Sequence, residues 1–281
     1  MKNIYLLVVM TLFLAQTSFA QKLKLPLRRA DALTGTAFAK SISDSTLSLA
    51  NREKIIYEEI KHGNVPDFLR NLSLVQYQLT IEVKLYTIKY FAIPDYMAIG
   101  SNQNYFYVPM TPILAQKIAD ILKCSLPTKK MVDLIYQQAK IKLTPSPLPP
   151  TKAMTTVPVF LTHNQLVQQQ LSPYSLQHSQ SELTSGNKKD IIISNKMYTE
   201  KTPKVVIYGW HQLNGKAIQP VYNKHSNTWA DYSHGSRFIQ NTIKVNGKKT
   251  TVQKILADVK LHPLLSDEGP IEKPYYPLTE Y

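Results

Sequence analysis

The chain has 281 residues, 43% of them hydrophobic and 10% aromatic, enough apolar material for one large domain or two small ones with a real core. Lys and Arg number 33 against 19 Asp and Glu, a formal charge of +14, and there is a single cysteine. One cysteine excludes an intramolecular disulfide, and no run beyond the N-terminus supplies the roughly 20 apolar residues that cross a bilayer.

Met1-Lys2-Asn3 is a short basic head, Ile4 to Leu14 an apolar run, and Ser18-Phe19-Ala20 a small-x-small site, so residues 1–20 read as a secretory signal peptide cleaved before Gln21. No cysteine follows that site to carry a lipid anchor. Cleavage removes only one charged residue, Lys2, and leaves 32 basic against 19 acidic side chains. The mature protein is thus expected to be secreted or periplasmic. Its expected partners are anionic envelope polymers, namely lipid headgroups, teichoic acid or lipopolysaccharide phosphates and peptidoglycan carboxylates. The basic residues are scattered and form no reading motif, so no specific nucleic-acid binding is expected.

Residues 21–45, poor in large apolar side chains, are expected to form a flexible arm. Leu47, Leu49, Ile55, Ile56 and Ile60 lie on one helical face that Gly63 and Pro66 stop, with a short helix over 66–72. Strands follow over 74–83 and 85–92, then 96–100 and 105–108, as an antiparallel meander. The apolar phase changes between Leu85 and Tyr86, which suggests a bulge. Thr111-Pro112 starts a helix whose stripe is Ile113, Leu114, Ile118, Ile121 and Leu122. Cys124 closes it, and Ser125-Leu126-Pro127 turns into an antiparallel helix over 128–141. Pro145, Pro147, Pro149, Pro150 and Pro158 mark a crossing over 143–160, the best boundary candidate. Thr162 with Gln165 resembles a capping box for a helix to Leu171. The remainder is β-rich, with strands over 190–194, 204–211, 216–221 and 238–245, a type I′ turn at Asn214-Gly215 and a second at Asn246-Gly247. A short helix over 251–259 precedes an irregular, proline-rich end. The pattern is that of an α+β protein: an α+β part over 46–142, then a β-rich part over 161–281 that either stands alone or continues the first as one domain.

Three of the seven histidines, His211, His225 and His234, fall in one short stretch, and grouped imidazoles flag a site because they titrate near neutrality, relay protons and bind metal. Ser233-His234-Gly235 followed by Arg237 resembles the Ser-His-Gly-Cys-x-Arg signature of L,D-transpeptidases, secreted enzymes that cross-link peptidoglycan through a cysteine acyl-enzyme. The resemblance implies that His234 is a base and that an upstream histidine, here His211, shapes the site. The cysteine is absent: Ser236 stands in its place, Arg237 comes one position early, and the likeness covers five residues. Longer strings, among them Met154-Thr155-Thr156-Val157-Pro158, Tyr208-Gly209-Trp210-His211 and Asp231-Tyr232-Ser233-His234-Gly235, resemble an uncharacterised family of exported bacterial proteins to which no activity is assigned.

The catalytic candidates are therefore His234, His211 and Asp231, with Ser236 or Cys124 as a nucleophile brought close by the fold. Cys124 is otherwise a small buried hydrophobe. Trp210, Arg237, Lys188 and Lys189 are candidates for substrate binding. No metal cassette is present, although His211, His225, His234 and Asp231 together offer a zinc ligand set. The leading expectation is an envelope hydrolase or acyl transferase acting on a peptidoglycan-like or peptide substrate. Its rival is a non-catalytic basic envelope-binding or scaffolding protein whose histidines serve packing.

Overall fold

The computed structural model describes residues 21–281, so the expected signal peptide lies outside the described residues. Residues 21–45 do not stand off as an arm. Leu23 is buried and its N–H donates to Arg70 O, while α1 (Gly35–Ser41), capped by Thr34, buries Phe38 and Ala39. A few apolar anchors dock a segment whose average composition is polar. Helix α2 (Leu49–Lys61) starts at the Ser48 cap, and α3 (Asp67–Arg70) is a single turn.

β1 (Ser73–Ile81) and β2 (Lys84–Ala92) form a hairpin in which Ile81 pairs with Lys84 across Glu82-Val83, and Glu82 takes the left-handed φ of 54°. The phase change in the sequence is this turn and no bulge: pairing Ile81 with Lys84 puts odd positions of β1 and even positions of β2 on one face. β3 (Ala98–Gly100) and β4 (Tyr105–Tyr107) make a second hairpin. Helix α4 (Pro112–Leu122) begins as expected, with Thr111 Oγ1 accepting from Leu114 N, and ends at Lys123 in the left-handed region. Cys124 belongs to β5 (Cys124–Ser125), a strand inserted before α5 (Lys129–Gln138). The simple helical hairpin fails because the sheet claims the connecting residues.

After β6 (Ile141–Lys142), residues 143–156 run as an extended strap ending in a 3₁₀ turn. Helix α6 (Val157–Leu171) starts well before Thr162, since Pro158 sits in its first turn, where a missing N–H costs nothing. Then come α7 (Ser175–Ser179) and β7 (Thr184–Ser185), which pairs in parallel with β6. β8 (Lys189–Ile191), β9 (Ile207–His211), β10 (Ala217–Tyr222) and β11 (His234–Gly235) form a four-stranded sheet in the order β10-β9-β8-β11. β12 (Ile239–Gln240), β13 (Thr242–Val245) and β14 (Lys248–Thr251) join β2 and β5 in a six-stranded sheet, to which β1 also belongs through β2. Strands from both sides of the proline crossing thus share one sheet, and the crossing is a surface strap, not a boundary.

Asn246 (φ 49°) and Gly247 (φ 78°) are both left-handed, as a type I′ turn requires. At Asn214-Gly215 only Gly215 is, and the loop there runs from Gln212 to Lys216, so the hairpin forms through a wider turn than expected. Helix α8 (Val252–Ala257) keeps its Thr251 cap. The C-terminal tail is anchored: Tyr276 N–H donates to Gln116 Oε1 and its hydroxyl to Ile192 O. Among the described residues no helix is long and apolar enough to cross a membrane.

Candidate functional site

Two consecutive residues of β9 have left-handed backbone, Gly209 (φ 105°) and Trp210 (φ 56°). For a bulky aromatic this conformation costs about 1–2 kcal/mol, and it redirects the side chains. Tyr208 and His211 both turn towards α5, where each bonds the Asp133 carboxylate, at 2.7 and 3.0 Å. Trp210 turns the other way, towards α6, with its ring 6.0 Å from that of His163 and the Lys189 ammonium 5.0 Å from its centre. His234 pairs with Lys189 in the parallel β11–β8 ladder. The structure therefore does not bring His211 and His234 together; they belong to sites on different sides of the sheet.

The α6 side holds a buried polar centre. Lys188 Nζ donates to Tyr232 O at 2.6 Å and to His163 Nδ1 at 3.0 Å, leaving Nε2 of that imidazole to carry the hydrogen. Asp231 closes the Asp231–His234 turn by accepting from Ser233 N and Oγ through Oδ1, while its Oδ2 lies 3.9 Å from His234 Nε2. Trp229 Nε1 reaches the same Oδ2 at 3.4 Å, and the Trp229 ring stacks on His225. The strap covers the centre, tied down where Leu148 N–H donates to the Tyr232 hydroxyl.

What singles out this centre is unmet hydrogen bonding. Among the described residues, ten buried side-chain polar atoms lack a partner, and four of them lie in this centre: both ring nitrogens of His234, His163 Nε2 and Trp210 Nε1. Burying one such atom unsatisfied costs about 1–3 kcal/mol, so a concentration of them marks a place kept for water or a ligand rather than for stability.

The electrostatics give the groups distinct states. Burial pushes the His234 pKa down to about 4, helped by the Lys189, His225 and Lys188 charges and opposed by Asp231, so at neutral pH the ring is an uncharged base. Burial takes His163 down to about 2 and Lys188 down to about 7, so the lysine titrates near neutrality. Burial works against the Asp231 charge, yet His234, the Ser233 hydrogen bonds and Lys189 outweigh it and hold the carboxyl at about 2. A stability signature follows for His234, whose pKa is 6.5 unfolded and about 4 folded. Between those values the unfolded chain binds the extra proton, so this contribution is present above pH 6.5 and is lost as pH falls to 4. The stability of wild type relative to His234→Gln should drop by on the order of 3 kcal/mol across that window, read by urea titration at each pH.

The remaining motif residues serve the fold. Arg237 is fully buried, donates to Ile93 O, Pro94 O and Thr184 O, and lies 4.3 Å above the Tyr96 ring. Its guanidinium is 3.7 Å from Asp190, whose pKa burial raises to about 6 against the pull of that charge. No surface remains on Arg237 for a substrate. Gly235 is needed for close approach, since a Cβ there would sit 2.5 Å from the Tyr96 ring and 2.7 Å from Lys188 Cβ. Gly235→Ala should cost about 1–3 kcal/mol in chemical denaturation and disturb the Lys188 position. Ser236 Oγ makes no hydrogen bond to His234, so no serine nucleophile is assembled. Cys124 lies in the other sheet with its thiol on Leu122 O, and burial raises its pKa to about 12, which keeps it a protonated, unreactive thiol.

His211 has its own setting on the α5 side. Its ring stacks on Tyr136 at 4.5 Å and binds Asp133, whose carboxyl is held below the usual range because bonds from His211, Lys129 and Tyr208 outweigh its burial. A cleft of about 500 Å³ opens here, lined by Asp133, Tyr136, Lys142, Tyr208, His211 and Asn214. A second cleft, of about 450 Å³, lies against the polar centre, walled by Thr155, Thr156, Arg52, Thr228, Trp229 and Ala230. Trp229 both lines this cleft and reaches Asp231. Among the described residues no three His, Cys, Asp or Glu side chains gather as metal ligands, and His211 faces away from the proposed zinc set.

His163 escaped the sequence reading, although its signal was present. It follows Phe160 and precedes Val167 on the buried face of α6, a histidine in an apolar register. Asp133, Tyr136 and Tyr208 had no comparable signal. No family model, curated protein or solved structure matches the chain.

Proposed function

We propose that the protein is an exported cell-envelope hydrolase acting on an amide or ester bond of a peptide or peptidoglycan-like substrate, with its reaction centre between α6 and the four-stranded sheet. The observation that carries this reading is His234: fully buried, uncharged at neutral pH, beside an ionised carboxylate, and without a hydrogen-bond partner on either ring nitrogen among the described residues. An imidazole so placed accepts a proton from water as the water attacks a carbonyl. Asp231 stabilises the imidazolium that results. The unpartnered Trp210 Nε1–H and the His163 Nε2–H are donors for the carbonyl oxygen as it gains charge. Lys188, titrating near 7, supplies a proton to the leaving nitrogen or oxygen. Water as nucleophile fits a His234 that pairs with neither Ser236 nor Cys124, and for that reason hydrolysis is favoured over acyl transfer.

The cleft beside Trp229 is the entrance, so opening the centre requires the Trp229 ring, stacked on His225 at 4.7 Å, to swing aside. The test is incubation of the mature chain with purified peptidoglycan, followed by mass spectrometry of the soluble fragments. New amine or carboxyl ends that accumulate with time support the reading. A substrate left intact across pH 4–8 overturns it.

A further inference from the structure

A second surface stands apart from that centre. On the solvent side of the six-stranded sheet, Lys89 of β2 lies directly opposite Lys244 of β13, which lies directly opposite Lys249 of β14. All three are exposed. Neighbouring strands are about 4.8 Å apart, so the three Cα atoms form a row about 10 Å long. Like charges directly opposite one another destabilise a sheet, and here the repulsion is repeated twice in register. The strands themselves supply no counter-charge: β1, β2, β13 and β14 contain no Asp or Glu. Among the described residues, the lysines that do have carboxylate partners are others, namely Lys61, Lys129, Lys130, Lys140 and Lys224.

The same face carries neutral hydrogen-bonding side chains around the row. Gln76 is opposite Lys89, Gln78, Thr80 and Thr242 are exposed on the same side, and exposed Leu74 and Leu85 lie at its margins. We propose that this face is a docking surface for a linear polymer of sugar or polyol phosphates, with the Lys89-Lys244-Lys249 row on the phosphates and the Gln and Thr side chains on the hydroxyls. The charge complementarity is one-sided and long-ranged, and the uncharged donors and acceptors match a hydroxylated chain better than a lipid headgroup layer. The surface shares no residue with the His234 centre and does not depend on the reaction proposed there.

The test is calorimetric titration of the mature chain with a lipid-free glycerol-phosphate polymer at low and moderate salt. Lys89, Lys244 and Lys249, replaced together by Gln, should weaken binding at least about tenfold and flatten its salt dependence, as expected when phosphate contacts are lost. The same triple variant should melt at an unchanged or higher temperature, which separates lost binding from lost folding. A control triple of equal charge change, Lys54, Lys201 and Lys260 to Gln, should keep most of the affinity. Equal losses in the two triples would assign binding to net charge and overturn the proposal. So would unchanged affinity in the row variant, equal binding of a neutral polyol chain, or binding to phosphatidylglycerol vesicles without binding to the polymer.

Discussion

Replacing Arg237 by Met is expected to destabilise the protein by about 3–5 kcal/mol, a large part of the roughly 5–15 kcal/mol that holds a typical domain folded. The guanidinium has no solvent exposure to lose, and its worth lies in what it satisfies. Three backbone carbonyls, of Ile93, Pro94 and Thr184, accept from it. Met has a similar reach but no donor, so those carbonyls would be buried unpaired. The charge matters as much, because Asp190 and Asp95 are both fully buried and both feel Arg237. Asp95 would keep its bonds from His178, Asn187 and the Tyr107 hydroxyl, whereas Asp190 would keep only the Tyr96 hydroxyl. Arg237→Lys should recover part of the loss, since it restores the charge without the fork. Urea unfolding of the three proteins at pH 7 checks the order, wild type above Lys above Met. An Arg237→Met protein as stable as wild type would mean that the carbonyl clamp contributes nothing.

The second large effect is chemical. Glutamine at position 234 is close to imidazole in size but cannot accept a proton, and the loss of a general base lowers rates by about 10²–10⁴-fold. The pH dependence of kcat/KM should identify the groups. The proposed reaction needs His234 unprotonated, which would set an acid limb near pH 4, and Lys188 protonated, which would set an alkaline limb near pH 7. Lys188→Gln should abolish the alkaline limb while leaving the acid one.

Elements defined by a few adjacent residues could be read in the sequence. The Thr111-Pro112 helix start, the Thr251 cap and the Asn246-Gly247 turn are where local chemistry placed them, because each depends only on its own dihedrals and nearest hydrogen bonds. The α+β class followed from such elements. Pairings at long range could not be read. The Cys124–Gln240 bridge turned a supposed helical hairpin into a sheet crossing, and Phe38 fixed a segment whose polar composition suggested looseness. The site divided in the same way. His234, Asp231, Lys188, Lys189 and Trp210 lie in one region. His211, next to Trp210 on β9, faces the other side as consecutive strand residues do, and the left-handed Gly209-Trp210 backbone brings Tyr208 to that side as well. His163 completed the centre from a helix far away in the chain, visible only as a histidine at a core position.

Because His211 and His234 sit in separate environments, the reaction can be assigned to one side of the sheet. The decisive measurement is turnover of peptidoglycan by wild type, His234→Gln and His211→Gln, each first shown to be folded by near-UV circular dichroism. Turnover should fall by at least about a hundredfold in His234→Gln and stay within a few fold of wild type in His211→Gln. Loss of activity in His211→Gln with His234→Gln active would contradict this account and move the chemistry to the cleft beside Asp133.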